Sequence, residues 1–468
     1  MIGPIVGPRQ PACIAWYWNV NSYFITTLGC PKNQADSRQM ERSLLRAGYR
    51  PVSLPEEADF HFINSCAFVE SARTETIETV LSSAGLKRSR PRQKLVLVGC
   101  FAERYAGILK DELPEVDFAF GTGRYQLAGE LLREQFGAPE AVAVAGFGEF
   151  LRGGQTAAPV KISEGCNRGC AFCAIPTFRG AFRDIPSVEI LEEVRKLVAD
   201  GVREIDLVSQ DTNRYGGKVE NLLTLLSELH QVPELSWIRL LYLYPDARTL
   251  QIWRGIVERG LDRVVPYLES PVQHASDRVL RAMRRSGSYA QFVDLFGSVR
   301  SLRPELEVRT SLLLGFPGEE DSDVATVIDF VREVRPEKLA LFAYSQEEDT
   351  PGFARGDPIP REEKAARLNA VREAHLEVLH ELHLERVGRQ FQAMIESSEG
   401  APIVRRAQDA PEVDELVYLD AAAPGLKAGE VCTVEITGFF EYDMTGRIVE
   451  SVTDRAESHQ SASSGAQG

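Results

Sequence analysis

The chain has 468 residues, 44% hydrophobic and 26% charged, an ordinary globular composition with material for about three domains of roughly 100–200 residues each. No apolar run approaches the roughly 20 residues of a membrane-spanning helix, and Met1–Asn21 lacks the basic-then-apolar order of a secretory leader, so a cytoplasmic protein is expected. With 53 Lys plus Arg against 68 Asp plus Glu, the net charge of −15 argues against broad electrostatic attraction to nucleic acid as the source of affinity.

Residues 1–21 read as a disordered extension with three aromatics. Residues 22–137 then repeat one unit three times: a short apolar run (Tyr23–Leu28, Asp59–Asn64, Lys94–Val98) followed by a helical pattern. Alternating strands and helices predict a Rossmann-like parallel α/β domain with right-handed crossovers. Residues 138–158, rich in Gly, Ala and Pro, read as a linker. Residues 159–386 alternate again, with strands expected at Pro159–Ser163, Glu204–Ser209, Trp237–Leu243, Val264–Leu268, Glu307–Leu314 and Lys338–Tyr344. Helices such as Val188–Asp200 and Asp321–Val334 lie between them, and about six units of this kind imply an open (β/α) barrel. A long charged helix, Arg361–Val387, leads to residues 387–452, which read as a small antiparallel β-barrel, and residues 453–468 as a disordered tail.

Eight cysteines, at 13, 30, 66, 100, 166, 170, 173 and 432, are too few and too uneven for a disulfide scaffold and point instead to metal or catalysis. The strongest signal is Cys166-Asn167-Arg168-Gly169-Cys170-Ala171-Phe172-Cys173, a C-x3-C-x2-C run placed just after the first barrel strand. Three thiolates on one loop can hold three irons of a 4Fe–4S cluster and leave the fourth open. A structural zinc site would want a fourth ligand, which no nearby His or Cys supplies. In the N-terminal segment Cys30, Cys66 and Cys100 each follow a strand. Strands of a parallel sheet end along one edge, so the three should converge there. They are either buried thiols or a second three-thiolate site.

The C-x3-C-x2-C run resembles the radical S-adenosylmethionine (SAM) enzymes, whose open iron chelates SAM and whose chemistry generates a 5′-deoxyadenosyl radical. Leu28-Gly29-Cys30-Pro31-Lys32-Asn33, Ile63-Asn64-Ser65-Cys66-Ala67-Phe68 and Val98-Gly99-Cys100 resemble the N-terminal signature of the methylthiotransferases. That resemblance implies two 4Fe–4S clusters: one on Cys166, Cys170 and Cys173, and an auxiliary one on Cys30, Cys66 and Cys100 that presents sulfur. Cys13 and Cys432 fall outside both trios and read as incidental.

Within this family, several groups resemble the RimO branch, which modifies an aspartate β-carbon in the small-subunit ribosomal protein S-twelve. They are Cys30-Pro31-Lys32-Asn33 with Asp36-Ser37, Lys161-Ile162-Ser163-Glu164-Gly165-Cys166-Asn167, and Ala174-Ile175-Pro176 with Arg179-Gly180. Downstream, Ser209-Gln210-Asp211-Thr212 with Tyr215-Gly216, Pro266-Tyr267-Leu268, Gln273-His274-Ala275-Ser276 and Gly315-Phe316-Pro317-Gly318-Glu319 match as well. The tRNA-modifying, MiaB-like branch instead continues Pro-Tyr-Thr-Arg-Gly after the third cysteine of the run. Departures from the branch pattern are Arg38, Asp184-Ile185-Pro186 and Glu269-Ser270, none of them among the six cysteines.

The last domain resembles a TRAM barrel, often an RNA binder. Residues 387–450 carry 12 acids against 5 bases, the wrong sign for phosphate and the right one for a basic ribosomal protein. An exposed pair, Arg405 and Arg406, remains as an RNA contact. Gln210, Asp211 and Arg309 are candidates for the methionine part of SAM or for ordinary barrel hydrogen bonds. His274 is a proton shuttle or a satisfied core histidine. The expected function is methylthiolation of the ribosomal protein, in or near the ribosome, with no membrane and with nucleic acid not the substrate. The rivals are a tRNA adenosine methylthiotransferase and a metal-bearing, non-enzymatic ribosome-binding module. The sequence names neither the electron donor nor the sulfur source.

Overall fold

The computed structural model describes residues 22–137, 155–397, 402–421 and 425–450, which fall into two compact units. The expected extension at 1–21 with Cys13, most of the expected linker, and the expected tail at 453–468 lie outside the described residues.

The first unit is built on a five-stranded sheet, β1 (Ser22–Thr27), β2 (Arg50–Pro51), β3 (Phe60–Ser65), β4 (Lys94–Gly99) and β5 (Phe118–Phe120). Its order is β2-β1-β3-β4-β5 and every pair is parallel. The three predicted strands are the central three. The edge strands β2 and β5 are two and three residues long, too short to carry a pattern. Helices cover both faces of a parallel sheet, so β3 is buried along its whole length and reads as one apolar run. Tyr23, Phe60, Phe62, Val96 and Val98 pack on Met40, Leu44 and Leu132 of the flanking helices.

The second unit begins with β6 (Ala157–Lys161) and a two-residue antiparallel pair, β7 (Ser163–Glu164) with β8 (Arg183–Asp184). It continues with β9 (Glu204–Val208), β10 (Trp237–Leu240), β11 (Tyr267–Glu269), β12 (Glu307–Leu314) and β13 (Lys338–Ala343). Two parallel three-stranded sheets, β6-β9-β10 and β11-β12-β13, are joined where Val264 pairs with Ile238 of β10 and the Val265 amide donates to the Ile238 carbonyl. The six strands therefore follow chain order round an open barrel, as the six apolar runs predict. Helices including Ser187–Ala199, Val219–His230, Ala247–Glu258 and Asp321–Val334 close its outer face around one large apolar core.

The 26-residue helix Arg361–Arg386 leads to β14 (Gln390–Ser397), β15 (Ile403–Arg406), β16 (Val417–Leu419), β17 (Val431–Phe440) and β18 (Asp443–Glu450). They close a barrel in the order β14-β15-β16-β18-β17, antiparallel at every step except β16–β18. Cys432 lies in its core, where burial pushes the thiol up to about 11 and leaves it inert.

One expectation is overturned here. Arg405 and Arg406 are not an exposed pair but are fully buried. Arg405 pairs with Glu204 at the start of β9 and with Glu396, 2.7 Å away. Arg406 pairs with Glu307 at the start of β12 and with Asp409, each at 2.9 Å or less at its nearest. A desolvated guanidinium needs carboxylates around it, and the starts of the central strands supply them. The pair docks the small barrel on the large one and offers nothing to RNA. Among the described residues, no helix is long and apolar enough to cross a membrane.

Candidate metal centres

The register of the first sheet sets Thr27 of β1, Asn64 of β3 and Val98 of β4 side by side. Cys30, Cys66 and Cys100 follow these residues by three, two and two positions, so all three leave the same edge from adjacent strands. The loops touch. Gly29 has φ +90°, and a Cβ there would lie 2.8 Å from the Cys66 Cβ and 3.0 Å from its sulfur. The asparagines of the two motifs tie the loops together. Asn33 Nδ2 donates to the Leu28 and Ser65 carbonyls at 2.7 and 3.1 Å, and Asn64 Nδ2 donates to the Asn33 carbonyl and Ser37 Oγ at 2.8 and 2.9 Å. Cys66 and Cys100 are buried and Cys30 is half-buried.

The second trio sits on the loop after β7. Gly165 takes φ +75°, and a Cβ there would meet the Ala181 carbonyl at 2.3 Å, so only glycine lets the chain turn into Cys166. Backbone bonds hold the loop from three sides: Cys166 N–H to the Gly180 carbonyl (3.2 Å), Ala171 N–H to Met283 (2.8 Å) and Gly352 N–H to Ala171 (2.7 Å). Burial pushes the Cys166 thiol up and the Cys173 thiol up to about 12, and Cys170 and Cys166 push Cys173 the same way. Three sulfurs close enough to feel one another fit a bound cation, because a coordinated metal takes the place of the thiol proton. Among the described residues, no three His, Cys, Asp or Glu side chains close round a single metal ion. Cysteines that hold a cluster each bind a different iron, and three thiols on one loop provide such a donor set.

Around this loop the polar side chains are committed to one another. Glu164 accepts from Gln210 Nε2 at 3.0 Å and pairs with Lys161 and Arg179. Burial alone would raise its carboxyl, but the two cations outweigh that and hold it at about 2. Asp211 accepts from Arg168, whose Nη2 also reaches Asp246 Oδ2 at 3.1 Å. Of the three residues considered for SAM, Gln210 and Asp211 thus support the cysteine loop, whereas Arg309 turns away to Asp414 of the small barrel. His274 is fully buried. Its Nδ1 accepts the Ser276 N–H at 2.9 Å, so Nε2 carries the proton toward Glu319 at 3.2 Å. That is the satisfied core histidine. Sequence reasoning missed Arg285, which reaches Cys170 from 115 residues away, a distance no local spacing encodes.

Three family models match the chain. One described as an uncharacterized protein family (UPF0004) covers residues 22–121, the radical SAM superfamily covers 160–331, and the TRAM domain covers 387–449. The chain is 46% identical over 442 residues to the ribosomal protein uS12 methylthiotransferase RimO of Leptospira biflexa, spanning 92% of this chain and 97% of that protein. It is 39% identical over 455 residues to the protein of the same name from Anaeromyxobacter sp. strain K, spanning 92% and 94%. Among solved structures, the radical SAM methyltransferase TsrM from Kitasatospora setae aligns with a TM-score of 0.53 at 13% identity, over 71% of this chain and 75% of that one, a likeness of fold.

Proposed function

The chain belongs to the ribosomal protein uS12 methylthiotransferase (RimO) family, and from that premise we propose that it replaces a β-hydrogen of an aspartate in uS12 with a methylthio group. It is a radical SAM enzyme that uses SAM and 4Fe–4S clusters. The observation that carries the reading is the 46% identity sustained over 442 residues, 92% of this chain and 97% of the relative.

We assign Cys166, Cys170 and Cys173 to one cluster and Cys30, Cys66 and Cys100 to the other. When bound, the first supplies the electron that cleaves SAM and the second the sulfur. The chain's own residues do the rest. Gly165 and the three backbone bonds hold the first cysteine loop in one conformation. Arg168, locked between Asp211 and Asp246 and stacked 3.6 Å from the Tyr244 ring centre, stiffens its middle. Asn33 and Asn64 do the same between the loops of the other trio.

The acidic small barrel supports a basic protein substrate. Its 12 acids face only 5 bases, and two of those bases are buried in ion pairs, so little positive charge is left for phosphate. We place the reaction in the cytoplasm, on uS12 in or near the ribosome. The tRNA-modifying reading lacks that support. To test it, reconstituted, reduced enzyme is given methyl-labelled SAM with either small ribosomal subunits or bulk tRNA. Label should enter protein; label in nucleosides alone would overturn the reading.

A further inference from the structure

The described buried arginines follow one rule with one exception. Arg179, Arg239, Arg367, Arg386, Arg405 and Arg406 each pair with a glutamate. Arg285 is only 8% exposed, and among the described residues no carboxylate lies in ion-pair range of it. It donates through Nε to the Val272 carbonyl at 2.9 Å and through Nη2 to the Pro271 carbonyl, and its guanidinium carbon lies 4.4 Å from the Tyr244 ring centre. The remaining nitrogen, Nη1, points to Cys170 Sγ at 3.7 Å. Dipoles and a ring face satisfy its hydrogen bonds and leave its charge unbalanced. A buried cation without a counter-anion is costly. Among the described residues, the groups beside it able to become anions are the Tyr244 phenol and the cysteine sulfurs, and only the sulfurs would be anionic as ligands of a cluster.

We propose that Arg285 is the built-in counter-cation of the cluster on Cys166, Cys170 and Cys173, and that it raises the reduction potential of that cluster. This rests on the ligand assignment above. One-electron reduction adds a unit of negative charge to an already anionic group of iron, sulfide and thiolates. A fixed positive charge and an N–H···S bond both stabilise the reduced form more than the oxidised one. Arg168 does not share this role, because Asp211 and Asp246 already cancel its charge. Arg285 therefore acts through the cluster ligand Cys170 and is a positioning residue with an electronic effect.

The test uses the full-length chain with Cys30, Cys66 and Cys100 replaced by Ala, so that a single cluster is read. Its potential is measured by dithionite titration followed by electron paramagnetic resonance, without SAM. If this parent holds no four-iron cluster, the ligand assignment fails, independently of Arg285. If it does, Arg285→Gln should make reduction at least tenfold harder, a fall of ~59 mV or more for a one-electron couple, and Arg285→Lys should lose less. An unchanged potential in Arg285→Gln overturns the proposal. Loss of iron in Arg285→Gln with retention in Arg285→Lys supports it, since charge is what the two differ in. Loss of iron in both, with native circular dichroism, overturns it and leaves Arg285 a packing residue.

Discussion

Arg406 of the small barrel grips Glu307 of the central barrel with both arms of its guanidinium, Nη1 to Oε1 at 2.9 Å and Nη2 to Oε2 at 3.2 Å. Lys338 and Arg386 converge on the same carboxylate, and Asp409 balances Arg406 and Lys338. Two barrels that meet through buried charges fix each other's orientation, because each group depends on partners from the other side.

Arg406→Ala should therefore destabilise the chain by roughly 3–5 kcal/mol, the usual cost of breaking a buried pair from one side. Denaturant unfolding measures it. A loss near zero accompanied by weakened tRNA binding would restore the RNA-contact reading of this residue.

The same network fixes an acid limit. Burial alone would raise the Asp409 carboxyl, yet Arg406 and Lys338 hold it at about 2 against an ordinary 3.8. A depressed carboxyl stabilises the fold fully above its unfolded pKa, and that contribution is lost as the pH falls through the folded value. Stability should decline between about pH 4 and pH 2 on this account. Asp409→Asn should be less stable at pH 7 and show a shallower acid limb. An unchanged limb would mean that other carboxylates govern it.

Replacing Cys166, Cys170 and Cys173 together by Ala should abolish 5′-deoxyadenosine formation and reduce iron from about eight to about four atoms per chain. Persistence of 5′-deoxyadenosine would remove these residues from the site.

Gly29→Ala tests the other trio alone. Its new Cβ would collide with Cys66 at a positive φ that disfavours alanine. SAM cleavage should survive while methylthiolated product is lost and iron falls toward about four per chain. Full product yield would detach the Cys30–Cys66 contact from function.

What could be read from the sequence follows what is local in it. The strand-then-cysteine repeat located Cys30, Cys66 and Cys100 because each lies within three residues of its strand's register partner. Five of the six barrel strands are legible because buried parallel strands are continuous apolar runs, and Lys338–Ala343 reads the same way although most of it is half-buried or exposed. The burial of Arg405 and Arg406 is not legible because their neighbours in sequence say nothing of Glu204, 201 residues away, or Glu307, 99 residues away. The uncompensated charge of Arg285 was invisible for the same reason. Only packing reveals which carboxylates are absent from around it.

The intact mass of uS12 from cells with and without this gene tests the proposed reaction in a single experiment. With the gene present, uS12 should carry one methylthio group in place of one hydrogen, mapped to an aspartate and lost on deletion. An identical uS12 mass in both strains, with a methylthio group missing from tRNA in the deletion, would contradict it.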